Sequence, residues 1–147
     1  MNPDNKLVLK RTILIKADVD HVWDALINPD LTERYVFGLR VSSDWKIGSP
    51  VVWKGRFQGK DLMHKGRVLN FEPRRILQIT DFDALGVADD VPSNYTTVTY
   101  ELSSENAGSV TRLNITEENF GGDQRKFDDS CRFWDSTLPK LKAMMEA

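Results

Sequence analysis

The stretch FDDSCRFWDSTLPKLKAMM, residues 127–145, decides the fold. Within it Phe127, Cys131, Trp134, Leu138, Leu141 and Met145 are spaced four, three, four, three and four apart. That spacing puts all six side chains on one face of an α-helix. The rest of the chain reads as strands, and a one-sided helix that follows strands buries its stripe by lying across their sheet. Gly121-Gly122-Asp123 reads as the turn and cap before it, and Asp128-Asp129 meet the positive end of its dipole. Pro139 interrupts the stripe and removes one backbone hydrogen bond, so a kink, or a split near Asp135, is expected.

Outward from the helix, the last strand is marked by Thr111, Leu113 and Ile115, after a turn over Ser104 to Gly108. Before it, Tyr95 to Leu102 sets Val98, Tyr100 and Leu102 on one face against Thr97, Thr99 and Glu101. Ile76 to Phe82 and Leu62 to Phe71 are two further strands joined by the Glu72-Pro73-Arg74 turn. Gln58-Gly59-Lys60-Asp61 turns the chain out of a strand in which Val51, Trp53, Gly55 and Phe57 share one face. Strands begin at Leu39. The first strand, Leu7 to Lys16, stands apart, because two short helices follow it. Asp18 caps the first, whose stripe is Val19, Val22, Trp23, Leu26 and Ile27. Asn28 caps the second, with Pro29 at its first position, and it ends near Phe37-Gly38. Short connections between successive strands imply antiparallel pairing. The longest connection, Asp83 to Asn94, reads as an acidic exposed loop.

A chain of 147 residues with 40% apolar and 29% charged composition reads as one globular domain spanning 1–147. A chain of this size buries roughly two-thirds of its unfolded surface. Its net charge of −2 gives no basic surface for nucleic acid, so no nucleic-acid partner is expected. Cys131 is the single cysteine, which excludes an internal disulfide and falls on the apolar stripe as a small hydrophobe. No window approaches the ~20 apolar residues of a membrane span. The opening residues Met1-Asn2-Pro3-Asp4-Asn5-Lys6 are polar and lack the apolar run of a signal peptide, so a cytoplasmic protein is expected.

Strand, two short helices, six strands and a long final helix is the order of the helix-grip fold, an α+β architecture in which a curved antiparallel sheet grips the helix. Several segments carry a more specific resemblance: INPDLTERY at 27–35, GRV at 66–68 through EPRRI at 72–76, VTRL at 110–113, and FW at 133–134 through Leu138 and Leu141-Lys142. On these the chain resembles the START-like superfamily. Within it, it is similar to the family of the C-terminal domain of the activator of the Hsp90 ATPase. It departs from that family at Gln78-Ile79-Thr80-Asp81-Phe82, where an aromatic-rich strand ending is usual. No counterpart of the activator's separate N-terminal domain is expected within these 147 residues.

The resemblance implies a cavity between sheet and helix that takes a small hydrophobic molecule without catalysis. It also raises an Hsp90-type chaperone partner with a role in stress response, and a monomer or homodimer. A third implied alternative is a cyclase- or hydrolase-like enzyme, with His64 or Tyr100 as acid or base. The sequence itself offers no nucleophile elbow, no phosphate-cradling loop and no metal-ligand spacing, so no catalytic residue, metal or cofactor is expected. His21 falls between the apolar positions of the first helix, as a solvated residue would, whereas His64 shares strand parity with Leu62, Gly66 and Val68. The candidate ligand-contacting residues are Trp53, Phe57, His64, Val68, Tyr100, Leu113, Trp134 and Leu138. The Tyr and Trp polar atoms would anchor a ligand there.

Overall fold

The computed structural model describes residues 6–147, and the polar stretch 1–5 lies outside the described residues. The chain runs β1 (Leu9–Ile15), α1 (Val19–Ile27), α2 (Pro29–Tyr35), β2 (Leu39–Ser43), β3 (Pro50–Phe57), β4 (Lys60–Glu72), β5 (Ile76–Asp83), β6 (Thr96–Glu105), β7 (Val110–Glu118) and α3 (Gln124–Met145). All seven strands form one antiparallel sheet in the order β1-β7-β6-β5-β4-β3-β2. The strands joined by α1 and α2 therefore lie at opposite edges, and the helix pair carries the chain from one edge to the other. With α3 packed on the sheet, this is the helix-grip arrangement.

Local chemistry explains the corner between α1 and α2. Asn28 ends α1 by donating its N–H to the Asp24 carbonyl and starts α2 by accepting from the Asp30 N–H. Pro29 occupies the first position of α2, where no intrahelical donor is lost. Tyr35 then donates its hydroxyl to the Ala25 carbonyl at 2.7 Å, locking the second helix onto the first. The Thr32 hydroxyl donates to the Leu39 carbonyl at 2.9 Å and accepts from Val41 N–H at 3.2 Å, tying α2 to the edge strand.

Asp123 caps α3 by accepting from the Arg125 and Lys126 N–H groups. The helix then runs unbroken through Pro139, so the expected split near Asp135 does not occur. Tethers on both sides of the proline hold it together against β1. Arg11 Nε donates to Asp135 Oδ1 at 2.7 Å, and Lys142 Nζ donates to the Leu14 carbonyl at 2.8 Å. Tertiary contacts thus offset the one backbone bond the proline removes.

The stripe is buried unevenly. Trp134, Leu138 and Leu141 are buried, joined by Thr137, whereas Phe127, Cys131 and Met145 are half-buried. Opposite them, the sheet presents Leu77, Ile79, Val98, Tyr100, Leu113 and Ile115, all buried. Two turns fall slightly away from their expected places. β4 already begins at Lys60, with only Gln58 (φ 52°) and Gly59 (φ 77°) turning the chain, and β6 continues to Glu105. Among the described residues, no helix is long and apolar enough to cross a membrane.

Candidate functional site

Sheet and helix do not close completely on each other. A cavity of about 260 Å³ lies between the inner face of the sheet and α3, with Leu26, Tyr35 and Val36 of the helical corner at one end. Cavities of about 150 Å³ lined by aliphatic side chains hold a benzene-sized molecule, so this one accommodates something larger. Its walls are mostly apolar: Ile79, Val98, Leu113 and Ile115 from the sheet, Phe133, Leu138 and Leu141 from the helix.

Of the residues expected from sequence, Trp53, His64, Tyr100, Leu113, Trp134 and Leu138 line this cavity. Two do not. Val68 is fully buried but lies off the cavity wall, paired with Ile79 where the β4–β5 register shifts. Phe57 is the last residue of β3, is 37% exposed, and packs edge-on against Phe37 at 5.2 Å. Strand parity gave both the inward face, but a bulge and a strand end took them away from the void.

The wall also carries polar residues that the alternation could have revealed. Leu113 and Ile115 are followed at the same parity by Glu117, which is 5% exposed. Leu77 and Ile79 are followed at the same parity by Asp81. Thr137 stands three residues after Trp134 and four before Leu141, at stripe spacing. Each is a polar residue continuing an apolar pattern, which is the signal a core-only reading passes over.

Their hydrogen bonds divide this polar wall into three parts. Glu117 accepts from Trp134 Nε1 at 3.0 Å on one carboxylate oxygen and from the Thr96 hydroxyl at 2.7 Å on the other. Burial pushes its carboxyl above the usual range, while the Trp134 and Thr96 donors pull it back. His64 places Nδ1 3.0 Å from Asp81 Oδ2, across β4 and β5. Burial works against the imidazolium, but the Asp81 hydrogen bond and charge, with Asp83 and Glu117, raise its pKa overall. The third part is hydroxyl. Thr137 Oγ1 is buried with no hydrogen-bond partner among the described residues, and burial raises the Tyr100 phenol well above its ordinary value. Tyr100 and Trp134 meet edge-on at 5.9 Å, with Trp134 fixed by its bond to Glu117.

Such a wall can hold the polar end of a small molecule, and the His64–Asp81 pair can exchange a proton. Among the described residues no group of three or more His, Cys, Asp or Glu side chains is placed to hold a metal ion.

Comparison with known proteins agrees with this architecture. The family described as activator of Hsp90 ATPase homolog 1-like protein matches residues 16–146. No curated protein matches significantly. Among solved structures, the solution structure of ChR145 from Cytophaga hutchinsonii is 37% identical, with a TM-score of 0.77 over 96% of this chain and 94% of that one. The Aha1 dimer from Colwellia psychrerythraea is 22% identical, with a TM-score of 0.71 over 95% of this chain and 96% of that one. CalU16 from Micromonospora echinospora is 21% identical, with a TM-score of 0.67 over 97% of this chain and 85% of that one. The latter two likenesses are of fold.

Proposed function

This chain belongs to the family of activator of Hsp90 ATPase homolog 1-like proteins, and from that premise we propose that it binds a small, mainly hydrophobic molecule between sheet and α3 without transforming it. The observation that carries this reading is the Thr137 hydroxyl, buried and unpartnered at the wall of a cavity of about 260 Å³. A buried hydroxyl left without a partner costs about 1–3 kcal/mol. A ligand that bonds to it recovers that cost, and the apolar walls supply the remaining affinity. Trp53, Tyr100 and Trp134 give the pocket rigid aromatic surface, and Leu113 and Leu138 close it from opposite sides.

Native mass spectrometry of freshly purified protein, paired with titration of an apolar fluorophore, tests this. The expected result is a non-covalent adduct that disappears on denaturation, or saturable fluorophore binding that Leu113→Phe abolishes by filling the void. A protein of unliganded mass that gives no saturable fluorophore binding would overturn the reading.

The His64–Asp81 pair favours a second reading, in which the same cavity performs acid–base chemistry. If a turnover is found, His64→Gln should abolish it while leaving fluorophore binding intact. Full turnover in that variant would remove His64 as the acid or base.

A further inference from the structure

The charge distribution of the cavity wall narrows the class of molecule that fits, given the binding role proposed above. Among the described residues Asp81, Glu117 and Asp129 line it, and neither lysine nor arginine does. Its one basic side chain, His64, is already bound to Asp81. Asp129 is engaged by the Arg132 guanidinium. Glu117 therefore stands out as a buried carboxylate that receives two hydrogen bonds and, among the described residues, forms no ion pair. Those two donors offset part of the burial cost of its ionised form, and a carboxylate holding two hydrogen bonds still has acceptor capacity. On the same cavity wall, the unpartnered Thr137 hydroxyl can take a polar atom from outside the protein.

We infer that the occupant is a non-anionic amphiphile, a hydrocarbon body ending in a hydrogen-bond-donating hydroxyl or amino group, and that carboxylic acids are excluded. A donor head suits either polar group of the wall, because Glu117 accepts and a threonine hydroxyl can donate or accept. A carboxylate head would instead enter a wall already bearing carboxylates. It would leave its charge uncompensated in a poorly solvated space, or it would have to be protonated on entry. The apolar walls receive the hydrocarbon in either case, so head-group chemistry alone discriminates.

Three probes of equal chain length separate these cases: 1-octanol, octylamine and octanoate, each competing with an apolar fluorophore at near-neutral pH. Octanol and octylamine are expected to displace the fluorophore at concentrations about tenfold or more below octanoate. Comparison of octanol with octylamine then tells whether the head is neutral or cationic. Glu117→Gln is expected to narrow the gap between octylamine and octanoate to about threefold or less, because the wall loses its uncompensated charge. Thr137→Val is expected to weaken octanol several-fold relative to the fluorophore.

Octanoate binding as tightly as octanol would overturn the inference and leave the cavity reading standing. Saturable fluorophore binding that none of the three displaces would do the same. Absence of fluorophore and probe binding in a folded protein would overturn both. An unchanged gap in folded Glu117→Gln would remove Glu117 as the selecting group.

Discussion

His21 and His64 each set Nδ1 against an aspartate, at 2.7 Å from Asp18 and 3.0 Å from Asp81. The shorter contact is local. Asp18 and His21 are three residues apart at the start of α1, and Asp18 also caps the helix by accepting the His21 backbone N–H at 2.9 Å. Both side chains are half or more exposed, so the pair is available to water and salt. The longer contact joins residues 17 apart in sequence, on two strands, at the wall of a cavity. Contact length therefore says little about which pair matters. The difference lies in what the backbone had to do: one helical turn brings Asp18 to His21, whereas two strands had to pair in register for Asp81 to reach His64 diagonally, beside its register partner Asp83.

Gly66 lets β4 and β5 approach closely next to that pair, and changing it is the strongest way to break the comparison. A Cβ at this position would lie 1.7 Å from the Thr80 carbonyl oxygen, a backbone atom that cannot rotate away. Gly66→Ala should therefore push β4 off β5 between His64 and Val68. The expected loss is about 3 kcal/mol of stability, the upper end of what overpacking costs. Urea unfolding would read this as a fall in midpoint. In the folded fraction, the NMR shifts of His64 should move while those of His21 stay in place. Movement of both, or of neither, would mean that Gly66 does not control the cavity pair.

A smaller effect is expected at Glu117, which has no counterpart near His21. Its folded-state pKa lies above the ordinary 4.5 because burial penalises the charge. The folded protein thus retains a proton that the unfolded chain releases. The associated stability is full below the unfolded value and is lost as pH rises through the folded one. Glu117→Gln removes that loss, and its amide can still accept from Trp134 and donate to Thr96. At neutral pH the variant should gain about 1 kcal/mol, and near pH 4 the gain should vanish. Urea midpoints at the two pH values check it. An equal gain at both would trace the effect to packing instead of charge.

These two positions also show how far the fold and the site were legible in the sequence. The apolar stripe of α3 and the alternation of the strands are periodic, and periodicity survives translation into structure, so sheet, helix and helical corner were all readable. Trp53, His64, Tyr100, Leu113, Trp134 and Leu138 reached the cavity wall for the same reason. Phe57 and Val68 share their parity but not their place, because position along a strand and a register shift depend on partners that no local pattern specifies. Asp81, Glu117 and Thr137 were hidden for a different reason. Each occupies a position of an apolar pattern with a polar side chain, and a pattern read only for its hydrophobic members passes over it. The continuity of α3 through Pro139 rests on Arg11 and Lys142, whose contacts lie 124 and 128 residues apart in sequence.

The smallest expected effect sharpens the comparison most. Both histidines have raised pKa values, but for different balances of causes. For His21 the Asp18 hydrogen bond dominates. For His64 the largest influence is burial, which lowers the value, and the Asp81 hydrogen bond and charge overcome it. Asp18→Asn should therefore bring His21 back toward the ordinary 6.5, with Asp20 and Asp24 still nearby. Asp81→Asn should lower His64 further, because burial then acts against only Asp83 and Glu117. The sign carries into stability. With a raised folded-state value, the His64 contribution is complete below the unfolded value near 6.5 and is lost as pH rises through the folded one. Once Asp81 is gone and the folded value drops below the unfolded one, that dependence reverses, and the His64 contribution grows with pH across the same window. Histidine titrations by NMR, with urea midpoints at about pH 5.5 and about pH 8, measure both quantities. Equal drops for the two histidines would mean that His64 is solvated like His21, and the cavity wall would lose its claim to a distinct electrostatic environment.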